Sequence, residues 1–170
     1  MIAVLIASAL AALYVGAATW KNKAIPDSIS AMVYELPRNW QFLWILWMWA
    51  IAFLIYIPVI DVLSEKGMEW VGFLTLTSFA FTGAMPLVKK SKNTSHYVMA
   101  IISGILSQIC VCLICKWWIC SFSLLFFIHI IMFSEPDKKI CRLLDGKAVF
   151  IIEMICSFNI VFSYILNCYQ

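Results

Sequence analysis

Charge is what this chain has least of. Twelve Lys and Arg and nine Asp and Glu in 170 residues make 12% charged positions, against 64% apolar residues and a mean hydropathy of +0.95. A soluble domain carries about 25% charge and about 45–50% apolar residues. So thin a polar shell excludes a water-soluble globule, and lipid must supply the missing solvent. The net charge of +3 is too small to argue for nucleic acid. Histidine is nearly missing: His96 and His129 stand 33 positions apart and form no HxxxH pair. Cysteine is missing from the first 109 residues, and five of the seven that follow (Cys110, Cys112, Cys115, Cys120 and Cys156) sit inside apolar runs. That excludes a secreted disulfide framework. No basic segment precedes the first apolar run, so that run is expected to be retained as a span rather than cleaved as a signal peptide. There is no internal repeat and no low-complexity linker.

What is there is hydrocarbon-length apolar sequence. The pattern predicts an all-α integral membrane bundle, one domain over residues 1–170, with six transmembrane helices at about 2–19, 41–62, 69–88, 97–115, 118–133 and 148–168. Ten of the twelve Lys and Arg fall in the first, third and fifth loops. The positive-inside rule then puts those odd-numbered loops in the cytoplasm and both termini outside. Trp20, Trp40, Trp70, Trp117 and Trp118 fall at span ends, where an aromatic belt belongs. Trp40, Trp44 and Trp47 share a helix face, which reads as a packing or lipid-facing stripe ahead of an aromatic ligand platform. In the first span, Ala3, Ala7 and Ala11 repeat at four-residue spacing, as do Ser8, Ala12 and Gly16; such rows let helices approach closely and predict a place inside the bundle. Pro58 is expected to bend the second helix near its outer end.

Polar chemistry concentrates in a few places. Between the first two spans, Asp27 can cap a short helix that Pro37 ends, with Ile29, Met32, Val33 and Leu36 forming an apolar stripe. This interfacial helix is expected to lie on the cytoplasmic membrane surface, leaving Ser28, Ser30, Tyr34 and Arg38 for polar contacts or for closing the mouth of a pocket. Thr75, Ser78 and Thr82 share one side of the third span, and Ser103, Ser107 and Gln108 cluster on the fourth. Such groups seek partners across helix interfaces, so helix-to-helix glue is preferred over a solute path. His129 and Glu153 are the titratable residues of the last hairpin. With a rise of about 1.5 Å per residue, both lie roughly 6–8 Å below the cytoplasmic interface, at a depth where they can pair. His96 stands at the start of the fourth span, where capping is preferred over anion binding. Cys112-Leu113-Ile114-Cys115 has CxxC spacing, but in an apolar helix it reads as packing. No metal site and no cofactor are expected.

The order Ser28-Ile29-Ser30-Ala31, Tyr34, Pro37-Arg38, then Gly83-Ala84-Met85-Pro86, then His96-Tyr97 resembles a group of small polytopic membrane proteins of bacteria and of bacteriophages. The resemblance covers about residues 25 to 115. It implies a helical membrane fold in the bacterial inner membrane and points to Ser28, Ser30, Tyr34, Arg38 and His96, and it implies no mechanism. A more distant likeness to membrane hydrolases of the alkaline ceramidase type implies Ser, His and Asp at a membrane face, a set this chain does not match. The reading preferred is a non-enzymatic bundle that binds or passes a small solute or lipid through a polar, cytoplasmic-side pocket. The alternatives are an intramembrane metal-dependent hydrolase and a phage-encoded lysis or exclusion factor. The partners expected are the bilayer, a small solute or lipid, and a second copy of the chain as a homo-oligomer.

Overall fold

A computed structural model of the chain describes residues 1–23, 28–29, 32–33, 36–88, 94–115 and 148–168, and every element among them is helical. The elements are α1 (Ile2–Asn22), a 3₁₀ turn (Arg38–Trp40), α2 (Gln41–Ser64), α3 (Glu69–Val88), α4 (Thr94–Ile114) and α5 (Ala148–Cys168). Helix is the form in which each backbone donor and acceptor is met within its own segment, as an apolar medium demands. α1 ends at Lys23, whose φ of 50° is left-handed and whose N–H donates back to the Trp20 carbonyl. α2 runs unbroken through Pro58. The turn into α3 needs Gly67 at φ +67°, a conformation that costs a glycine nothing.

Contacts between helix tips define the two ends of the bundle. At one end the Met1 ammonium donates to the Tyr164 hydroxyl at 3.3 Å, and the Lys66 ammonium of the α2–α3 turn donates to the carbonyls of Leu113 and Ile114. The starts of α1 and α3 thus lie with the ends of α2, α4 and α5. The opposite end carries Lys21, Lys23 and Arg38 and is the basic end. Around the bundle α1 packs on α2, α2 on α3, α3 on α4 and α4 on α5. α2 is central, with a line of buried residues from Trp44 through Ile51, Ile55 and Val59 to Leu63. Lipid is as apolar as leucine, so what holds such helices together is close packing rather than escape from water.

Six membrane crossings are not supported. Among the described residues three helical segments are long and apolar enough to cross a bilayer: Ile2–Lys21, Arg38–Ser64 and Phe150–Cys168. α4 is not among these three; its described apolar stretch is Val98–Ile114. α3 mixes Glu69, Thr75, Thr77, Ser78 and Thr82 among its apolar residues, which dilutes its preference for hydrocarbon. The predicted span at 118–133 lies outside the described residues. With the six-span count goes the alternation on which the loop-by-loop orientation rested. The all-α class fits.

The predicted interfacial helix is also corrected. Ile29, Met32, Val33 and Leu36 do act as one apolar set, but they turn into the protein instead of lying on the membrane surface. Met32 and Val33 are completely buried against Trp44 and Met48, with Ile29 and Leu36 beside them. The backbone bonds Met32 N–H to Ile29 O and Leu36 N–H to Val33 O span three residues, the tighter 3₁₀ pattern. The physical reason is the start of α2, whose buried Trp and Met offer dense contacts that a fluid interface does not.

Candidate functional site

Where α1, α2, α3, α4 and α5 face inward they leave a cavity of about 410 Å³. Its walls are mostly apolar, with Leu5, Ile51, Ile55, Ile160 and Val161 as representative contributors. Small residues make the room. Ser8, Ala11 and Ala12 on α1 and Gly104 on α4 line it, and a Cβ added to Gly104 would meet nothing within 4 Å. Of the small-residue rows of α1, Ala7 is buried and Ser8, Ala11 and Ala12 border the cavity, while Gly16 is exposed; with 11% of its span buried, α1 lies at the edge of the bundle and not inside it.

The polar atoms of the wall are few. The hydroxyls of Ser8, Thr82, Ser103, Ser107 and Ser157 each donate to a carbonyl three or four residues back in the same helix, at 2.7–2.9 Å. Their hydrogens are spent, and their lone pairs stay able to accept. Tyr56 differs. Its ring packs on Phe79 with centroids 6.0 Å apart, it is only 3% exposed, and its hydroxyl has no hydrogen-bond partner among the described residues. A buried Tyr usually finds a partner for its hydroxyl. Glu153 is the one acidic or basic residue of the described wall. One of its carboxylate oxygens accepts the Ile29 N–H at 2.6 Å, tying the α1–α2 connection to α5 and placing Ile29 over the cavity near the basic end.

Beside the cavity the interhelical polar contacts are sparse and specific. Asn159 Nδ2 on α5 donates to Gln108 Oε1 on α4 at 3.2 Å, and Gln108 Nε2 donates to the Ser107 hydroxyl at 3.3 Å. Thr75 on α3 meets the Cys110 thiol on α4 at 3.4 Å. The hydroxyl-bearing faces of α3 and α4 are thus buried, but most of their bonds stay within their own helix, and Thr82, Ser103 and Ser107 line the cavity. Trp44 and Trp47 pack with Tyr14 of α1, at 5.4 and 4.5 Å between centroids, while Trp40 is exposed. Trp44 and Trp47 therefore serve helix packing, and Trp47 also lines the cavity. Cys110, Cys112, Cys115 and Cys156 are free thiols, and among the described residues no group of three or more His, Cys, Asp and Glu is placed to hold a metal ion.

The residues singled out from sequence are placed unevenly. Glu153 lines the cavity; Ser28 is half-buried next to Ile29; Arg38 is exposed at the head of the 3₁₀ turn. His96 lies in the first turn of α4. Ser30, Tyr34 and His129 lie outside the described residues. Tyr56 is the site residue that sequence reasoning missed. The signal available was a hydroxyl in the middle of a 24-residue helix that is otherwise almost wholly apolar. Comparison with known protein families, with curated proteins and with solved structures gives no match.

Proposed function

We propose that this chain is a non-enzymatic integral membrane protein that holds one small amphiphilic or lipid-like molecule inside its helical bundle. The observation that carries this reading is the cavity of about 410 Å³, within the range of about 300–1,000 Å³ typical of small-molecule sites, with apolar walls and few polar atoms. The pocket differs in character from the polar one expected from sequence: hydrocarbon fills most of its wall, so hydrocarbon is most of its ligand. Its home is the bacterial inner membrane, with the basic end in the cytoplasm. Lys21, Lys23 and Arg38 at that end support the orientation, and the exposed Trp20 and Trp40 at one end with Trp70 at the other support two interfacial levels.

The test is chemical. Protein purified in a mild neutral detergent and washed extensively is extracted with organic solvent, and the extract is analysed by mass spectrometry. Wild type is expected to release about one amphiphile per chain, and Gly104→Leu, whose side chain projects into the cavity, to release much less. Equal trace amounts from both would sink the proposal.

A further inference from the structure

Among the described wall residues the cavity holds one carboxylate and no answering cation. Glu153 contributes a carboxylate whose one oxygen is used by the Ile29 N–H, and its second oxygen has no partner among the described residues. No Lys, Arg or His is among the described wall residues. An ionised carboxylate in such a setting accepts and cannot donate, and a buried charge is tolerated when it is paired and hydrogen-bonded. The hydroxyls of Ser8, Ser103, Ser107 and Ser157 have already given their hydrogens to helix carbonyls. The wall is therefore rich in acceptors and poor in free donors. The Tyr56 hydroxyl, on the central helix some fifteen positions into α2, is a second polar point within the same cavity.

Resting on the reading that this cavity binds an amphiphile, we propose that its ligand carries an amine headgroup, seated on Glu153 near the basic end with its hydrocarbon tail running among α1, α2 and α5. A protonated amine supplies the positive charge that the described wall lacks and donors for the free oxygen of Glu153 and the lone pairs of the serine hydroxyls. An alcohol supplies one donor and no charge, and a fatty acid would set a second carboxylate beside Glu153. Charge-assisted hydrogen bonds are about twice as strong as neutral ones, so the order of affinity is amine, then alcohol, then acid. Tyr56 marks the depth at which a hydroxyl or carbonyl along the tail gains a further hydrogen bond.

The experiment uses ω-bromoundecylamine, ω-bromoundecanol and ω-bromoundecanoic acid, because bromine quenches nearby indoles and Trp47 lies in the cavity wall. The full chain in neutral detergent is titrated with each, and a Trp47→Phe protein isolates the contribution of that indole. The amine is expected to quench Trp47 saturably at about tenfold lower concentration than the alcohol, with the acid weakest. Glu153→Gln is expected to bring the amine curve onto the alcohol curve. Equal half-saturation for amine and alcohol in the wild type overturns the amine inference, and this comparison stands even where Glu153→Gln does not fold. Retention of the amine preference in a folded Glu153→Gln protein overturns it as well. Saturable quenching in either of those cases leaves the amphiphile-binding reading intact. Absence of saturable quenching by all three compounds ends both.

Discussion

The seam between α2 and α3 and the facing pair α1 and α5 are built from similar residues, yet one is closely packed and the other borders a void. At the seam, a Cβ on Gly72 would come within 2.6 Å of Ile60 Cγ1, and one on Gly83 within 2.8 Å of the Met48 Cβ. Two glycines let two backbones approach. Across the cavity α1 and α5 scarcely touch among the described residues, and only 11% of the α1 span is buried, against 39% for the span containing α2. Small residues are present on both sides. At the seam a neighbour has moved into the space they leave, and at the cavity none of the described residues has. A small residue in a membrane helix thus permits approach without causing it, and what decides is the complementary bulk on the opposing helix.

That comparison can be broken most directly at its tight side. Gly72→Val forces a branched side chain into Ile60 and Leu63, and overpacking of this kind costs about 2–3 kcal/mol. The expected result is a clear drop in the thermal midpoint of the detergent-solubilised protein; an unchanged midpoint would show that the α2–α3 seam is looser than its geometry. The next largest effect lies where the tight and loose regions meet. Gln108→Ala removes the acceptor of the Asn159 amide and is expected to cost about 0.6–1.7 kcal/mol, read from unfolding in a mixed-detergent titration. Pairing it with Asn159→Ala in a double-mutant cycle isolates the contact, and additive effects would mean that it contributes nothing.

The same substitution made on the two sides gives the sharpest contrast. Gly104→Ala adds a methyl group to open space and a better helix former to α4, so it is expected to raise stability by about 0.5–1 kcal/mol. Gly72→Ala is expected to lower it. Identical signs for the two would dissolve the distinction between seam and cavity. The smallest expected effect is at the helix ends. Lys66→Ala removes donors to the carbonyls at the end of α4 and is expected to cost about 0.3–1 kcal/mol at low ionic strength, declining as salt is added. A loss that does not respond to salt would assign the role of Lys66 to packing of its stem.

Parts of the candidate site were legible beforehand. Glu153 stood out because an acidic side chain five residues into an apolar run has few explanations, and the hydroxyls of α3 and α4 stood out by their spacing. Tyr56 did not, because one hydroxyl on an aromatic ring hardly alters a hydropathy pattern. The inward turn of Met32 and Val33 was illegible for a different reason. An apolar stripe next to a membrane helix has two stable destinations, lipid surface and protein core, and the stripe itself is the same in both. Partner assignment was hardest of all: depth suggested His129 for Glu153, a residue that lies outside the described ones, and the bond that Glu153 makes among the described residues is to the backbone of Ile29, 124 residues earlier.

By itself the sequence determined that this protein is helical and belongs with lipid, because both follow from local quantities: the proportion of apolar residues, the scarcity of charge, and the length of uninterrupted hydrophobic runs. Only the tertiary structure decided that the connection after α1 folds inward, and that the helices leave between them a cavity with one carboxylate among its described wall residues. The reason is that a periodic pattern states which face of a helix is apolar or small. Whether that face meets another helix, a lipid tail or empty space depends on where the other helices stand.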